Sequence, residues 1–178
     1  MTCIVGLETE TGVIIGGDSA AVGGLDIRTR TDPKVFTNGP FLIGFTSSFR
    51  MGQLLRFRLH PAKQDPDIDD YEYMATVFID AVRECLGDYG AKEVNNSVDS
   101  GGAFLVGYRG RLYEIDSDFQ VGTYADGFSA VGCGTDFALG ALAVNEGKKP
   151  HARVQQALEV AERFSAGVCG PFVIEAAS

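Results

Sequence analysis

Three side chains in the first 34 residues have the chemistry for acyl transfer: Thr2, Asp18 and Lys34. A threonine hydroxyl is a weak nucleophile and needs a base beside it. With Met1 removed, Thr2 would carry that base itself, as a free α-amine on the residue that holds Oγ. An α-amine titrates at about 7.7–8.0, close to working pH, where a general base is most effective. A lysine ammonium nearby would lower that value and keep the amine neutral. An aspartate beside the lysine would hold it charged and oriented. Threonine is small enough for a methionine aminopeptidase to accept at the second position, so a free Thr2 is expected.

The elements around these residues must bring them together. "TCIVGLE" alternates and is rich in β-branched residues, and "GVIIGGDS" repeats the pattern after a turn at "TETG". "KVFTNG" and "FLIGFTS" form a second pair around Asn38-Gly39. Four strands in so short a stretch, joined by tight turns, predict an antiparallel sheet. Asp18 then falls at the end of the second strand and Lys34 at the start of the third, where both can flank the start of the first.

Helices follow. Met51, Leu54, Leu55 and Leu59 recur at helical spacing, and Tyr71, Met74, Ala75, Phe78, Val82, Cys85 and Leu86 form one apolar stripe over 70–86. That stripe reads as core packing. Short strands return in "GGAFLVGYRG", "RLYEIDSD", "FQVGTYADG" and "FSAVGCG", with Arg109-Gly110 as a hairpin turn. Two further helices carry Phe137, Leu139, Leu142 and Val144, then Val154, Ala157, Leu158, Ala161 and Phe164, before a last strand in "GPFVIEA". Two stacked sheets with helices on their outer faces satisfy every apolar face in this order. The expected fold is therefore α+β, a four-layer αββα sandwich spanning residues 1–178 as one domain. A single-sheet α+β fold is the alternative.

Composition narrows the function classes. The 178 residues are 45% hydrophobic and 22% charged, with a formal net charge of −9. That acidity argues against a nucleic-acid groove and is in keeping with solubility. No apolar run reaches the roughly 18 residues that span a bilayer. No basic segment leads into an apolar stretch at the start, so the expectation is a cytoplasmic protein without a secretion signal or membrane partner. Cys3, Cys85, Cys133 and Cys169 are scattered without metal-ligand spacing. His60 and His151 sit beside prolines in loops, without ligand company. No cofactor and no metal are expected. Cys3 and Cys85 read as small buried hydrophobes, and Arg28 and Arg30 as part of a solvated strand, with a cleft lining as the other reading.

"TCIVGL…VIIGGDSA", "RTDPKVF", "FLIGFTSSFRMGQLL" and "AVGCGTDFALGAL" together resemble the proteasome β-type family of N-terminal nucleophile hydrolases, its HslV-like members most of all. Asp18 lies 16 residues and Lys34 lies 32 residues after Thr2, which matches the family's spacing without a gap. The resemblance covers most of the chain and is weak over 61–99. It implies that Thr2 Oγ attacks a peptide carbonyl and that the Thr2 amine takes the proton through a water. Asp18 and Lys34 would tune that amine. A backbone N–H near Ser48 would stabilise the oxyanion of a short-lived acyl-enzyme.

The chain also departs from the family pattern. Ser47-Ser48 stands where the family usually has Gly-Gly, which keeps the N–H but narrows the cleft. Cys133 in "GCG" replaces a supporting serine, read either as an isosteric swap or as an altered site, because a thiol is the weaker donor. The family's aspartate before the last strand is missing from "FSAGVCGPFVIE", where Ser165 is the available hydroxyl. The resemblance implies a homo-oligomeric ring, with stacked double rings as an extension, acting on peptide or unfolded protein with an AAA+ unfoldase as partner. Enclosure in a ring would keep an exposed nucleophile from the rest of the cell. Two alternatives stand beside this threonine-type endopeptidase: an amidohydrolase for a small amide, and a catalytically silent ring subunit.

Overall fold

A computed structural model describes the backbone of residues 1–91, 93–95 and 98–178, and the side chains outside 92–99. The first strands are β1 (Cys3–Thr9), β2 (Gly12–Gly17), β3 (Ala20–Gly23), β4 (Asp26–Thr29), β5 (Val35–Asn38) and β6 (Phe41–Phe45). Helix α1 (Phe49–Phe57) follows. Next comes one continuous helical segment: α2 (Asp70–Tyr73), a π-helical turn (Met74–Phe78) and α3 (Ile79–Asp88). Then come β7 (Glu93–Asn95), β8 (Val98–Ser100), β9 (Phe104–Tyr108), β10 (Arg111–Ile115), β11 (Val121–Gly122) and β12 (Phe128–Gly132). The chain closes with α4 (Thr135–Val144), α5 (Pro150–Phe164) and β13 (Val173–Ala177).

Two larger sheets form, which removes the single-sheet alternative. One runs β12-β1-β2-β13 and the other β11-β10-β9-β6-β5, with β3-β4 and β7-β8 as separate two-stranded ribbons. Every ladder in them is antiparallel. Strand β1 shows why the layers hold together. Its odd residues Cys3, Val5 and Leu7 enter a core with Leu142, Val154 and Leu158 of α4 and α5. Its even residue Ile4 enters a second core with Val13, Ile15, Val35 and Leu42, contributed by both sheets. A strand buried on both faces must be apolar at successive positions, as "CIVGL" is. A third core packs Phe41, Phe45 and Phe104 against Leu54, Phe78 and Val82 of the helices on the other side.

Two glycines let these layers approach. A Cβ on Gly16 would lie 2.6 Å from Val154 of α5, and one on Gly44 would lie 2.6 Å from Ile4 of the facing sheet. A methyl at either place would force helix from sheet, or sheet from sheet.

Several sequence expectations need correcting. The first 46 residues hold six strands, because the chain turns at Gly24-Leu25, with Gly24 at a φ of 61°, to form the β3-β4 hairpin, whose β4 strand is exposed. The tight loop joining β5 to β6 is Gly39-Pro40, with Asn38 still paired to Phe41. The Asn38 amide instead donates to Leu55 O and Leu59 O at the end of α1. Tyr71 leaves the expected apolar stripe: it is exposed, and its hydroxyl donates to Val121 O. Phe137, Val144 and Phe164 are exposed too, on the outer face of the α4-α5 pair. Among the described residues no helix is long and apolar enough to cross a membrane.

Candidate active site

Thr2 sits just before β1, at the end where β2 finishes. The antiparallel register of Ile4 with Gly17 brings residue 18 beside residue 3. The Asp18 N–H donates to Cys3 O at 3.2 Å. Its carboxylate accepts from Cys3 N at 3.0 Å and from Ala20 N at 2.8 Å. Lys34 comes from the residue before β5, fixed by the bond from Phe45 N to Lys34 O at 3.1 Å. Its ammonium donates to Asp18 Oδ1 and to Thr2 Oγ, both at 2.9 Å. All three side chains are buried, Lys34 to 2% exposure. A lysine so placed survives because its charge is paired and its protons find acceptors. The Thr2 hydroxyl also donates to Met1 O.

The other side of Thr2 is built by distant parts of the chain. Cys3 pairs with Gly132 at the end of β12, so Cys133 falls next to Thr2. Thr2 N donates to Cys133 Sγ at 3.3 Å, and that thiol reaches back to Thr2 O at 3.5 Å. Ser165, just past α5, places its Oγ 3.3 Å from the same sulfur. All four cysteines are free thiols. Burial, with Asp18 and Cys133 adding to it and Lys34 opposing, pushes the Cys3 thiol up to about 12. Cys3 is thus a neutral packing residue under the site, while Cys133 is exposed.

Ser48 is the N-cap of α1, accepting from Met51 N at 3.3 Å. Its own N–H, the expected oxyanion donor, donates to Thr46 O at 2.8 Å. The cause is Ser47, whose φ of 67° closes a tight turn. This three-residue turn is a strained form for a residue with a side chain. The donor foreseen for the cleft is therefore engaged within the turn. Thr2, Asp18 and Lys34 do come together; Cys133 joins them on the amide side, and Ser48 lies across the cleft.

The cleft in front of Thr2 has a volume of about 410 Å³ and is lined by Lys34, Thr46, Ser48, Phe49 and Arg28 among others. Its outer wall is the β3-β4 hairpin, which the sequence reading missed; the available signal was Gly23-Gly24 between two short polar-flanked runs. Arg30 stacks on Phe49 at 3.9 Å from the ring centre and holds Asp32 through two bonds of 2.6 Å. That pairing lowers the Asp32 carboxyl below its usual range.

No family model matches the sequence, and no curated protein matches it. Solved structures do. The chain is similar to BPH from Thiobacillus denitrificans, solved in complex with epoxomicin, at 16% identity over 99% of this chain and 100% of that one, with a TM-score of 0.81. It is similar to HslV from Trypanosoma brucei at 18% identity over 98% of both chains, TM-score 0.69. It is also similar to Anbu, an ancestral beta-subunit from Yersinia bercovieri, at 17% identity over 99% of this chain and 81% of that one, TM-score 0.67. The chain has the mixed α/β fold of these proteins, and the resemblance to HslV read from its motifs holds at the level of the fold.

Proposed function

We propose that this chain is a threonine-type peptidase subunit of a self-compartmentalising ring, with Thr2 as nucleophile once Met1 is removed. The observation that carries the reading is the buried Lys34 ammonium, bridging Thr2 Oγ and Asp18 Oδ1 at 2.9 Å each. An ammonium at that distance stabilises negative charge as it develops on Oγ. Thr2 Oγ forms a bond to the peptide carbonyl carbon while its proton passes to the α-amine. That proton then goes to the leaving amine as the peptide C–N bond breaks. Water, activated by the same amine, releases the acyl group from the resulting ester. The three cores are read as the three interfaces of a four-layer αββα sandwich. Copies of this chain would form the ring in the cytoplasm, with an AAA+ unfoldase delivering unfolded protein.

One observation favours a silent ring subunit instead: the Ser48 N–H is engaged by Thr46 O. Intact mass with and without epoxomicin separates the two. That epoxyketone closes a ring with both a threonine Oγ and a free α-amine. A chain lighter by one Met that gains one inhibitor supports the peptidase. A chain lighter by one Met that gains none supports the silent subunit.

A further inference from the structure

The outer wall of the cleft carries its charges in a set order. Strand β4 pairs with β3 in the register Ala20 with Thr29, Ala21 with Arg28 and Gly23 with Asp26. Arg30 continues the ladder, its N–H donating to Ser19 O at 2.9 Å. Side chains alternate along a strand, so Asp26, Arg28 and Arg30 share one face. Asp26 and Arg28 line the cleft, and Arg30 stacks on Phe49, which lines it too.

The cations around the cleft differ in what they have left to give. Lys34 is committed to Asp18 and to Thr2 Oγ. Arg30 is committed to Asp32 through two bonds, which make a neutral pair. Among the described residues, none takes an ion pair from Arg28. Its planar guanidinium is the fork that matches a carboxylate. It is also close to the nucleophile. Ala20, next to the Arg28 partner Ala21, donates its N–H to Asp18 Oδ2, and Asp18 Oδ1 holds Lys34 beside Thr2. At about 3.3 Å of rise per strand residue, Arg28 stands roughly two or three residues from Thr2, with Asp26 about 7 Å further out. The net charge of −9 repels anions at long range, so any preference for an acid must come from this local cation.

We propose that Arg28 is a specificity-determining residue, selecting peptides with a carboxylate side chain on the acyl side of the cleaved bond. The inference rests on the peptidase reading above and names its substrate class. An aspartate or glutamate there exchanges the water on the guanidinium for a charge-assisted hydrogen bond. A lysine in the same place meets a like charge.

The test uses the full chain lacking Met1 and peptide epoxyketones that differ only in Glu or Lys, placed in turn at each of the three residues next to the warhead. The rate of addition is read by intact mass. At one position the Glu probe should react roughly tenfold faster than the Lys probe or more, the worth of one charge-assisted hydrogen bond. Arg28→Gln should bring that ratio to about one or below. Arg28→Glu should invert it in favour of Lys, a gain that a misfolded variant cannot mimic. Arg163→Gln makes the same charge change in the last turn of α5 and should keep the wild-type ratio. Equal rates for Glu and Lys at every position, a Glu preference that survives Arg28→Gln, or an equal fall in Arg163→Gln overturns the inference. Epoxomicin addition in that same protein leaves the peptidase reading standing. A chain that loses Met1 and adds neither epoxomicin nor any probe overturns the peptidase reading, and this inference with it.

Discussion

Lys34 donates to Asp18 at 2.9 Å with both side chains sealed from solvent, at 2% and 0% exposure. The two partners are not equivalent. Asp18 also accepts from Cys3 N and Ala20 N, whereas Lys34 has Asp18 and Thr2 Oγ. Asp18→Ala strips a buried ammonium of its counter-charge and should cost about 3–5 kcal/mol of stability. Lys34→Met leaves a carboxylate still held by two amides and should cost less. Urea denaturation of both variants checks the order. Lys34→Met should nonetheless cut epoxomicin addition by about 100-fold or more, because the cation beside Oγ is gone.

Alkaline stability should depend on Cys3. Its folded thiol is pushed by burial from an ordinary 9.0 up to about 12, so the unfolded chain loses its proton first. Cys3 thus supports the fold fully below pH 9, and that support drains away as pH climbs toward 12. The slope is about 1.4 kcal/mol per pH unit for one group. Cys3→Ala should flatten the fall from pH 9 upward. Tyr113, raised by burial from 10.0 to about 12, keeps a residual slope above pH 10. Denaturation series across pH 8–12 measure both.

Ser47 and Gly102 should behave as a pair. Ser47 holds φ at 67°, so Ser47→Gly is expected to stabilise the protein by roughly 0.5–1 kcal/mol. A Cβ on Gly102 would lie 2.7 Å from Ser47 Cβ and 2.8 Å from its Oγ. Gly102→Ala alone should therefore destabilise, and much of that loss should vanish when Ser47→Gly is present. Additive effects in the double variant would contradict this geometry.

Gly52 is the close-approach point under the cleft. A Cβ there would stand 2.2 Å from the Phe45 ring, which is buried and cannot swing aside into solvent. Gly52→Ala should cost about 2–3 kcal/mol by thermal or urea unfolding.

Much of this architecture is legible in the residues. The β1 run "CIVGL" and the α5 spacing of Val154, Ala157, Leu158 and Ala161 announce buried faces, and those four are buried. Thr2, Asp18 and Lys34 were legible as chemistry because two of them are charged and fall at strand ends. What stayed hidden was decided by tertiary contact. Phe137 and Phe164 fit an apolar stripe, yet they meet each other at the surface, their rings tilted by 30° with centroids 5.5 Å apart. The β3-β4 hairpin is too short and polar for periodicity to mark it. Ser165 meets Cys133 only because α5 ends where β12 ends, and no local pattern encodes that meeting.

The pairing of β1 with β12 has a temporal consequence. Thr2 and Cys133 touch although they lie 131 positions apart in the chain, and β13, the last element, flanks β2. During synthesis, at about 5–20 residues per second, the first hairpin emerges long before either neighbour exists. For that interval β1 and β2 present open edges and unburied apolar faces, with Asp18 and Lys34 already made but the thiol and hydroxyl still untranslated. The contacts that complete the surroundings of Thr2 therefore form last, and a holdase acting on the nascent chain would find exposed apolar surface on this early hairpin.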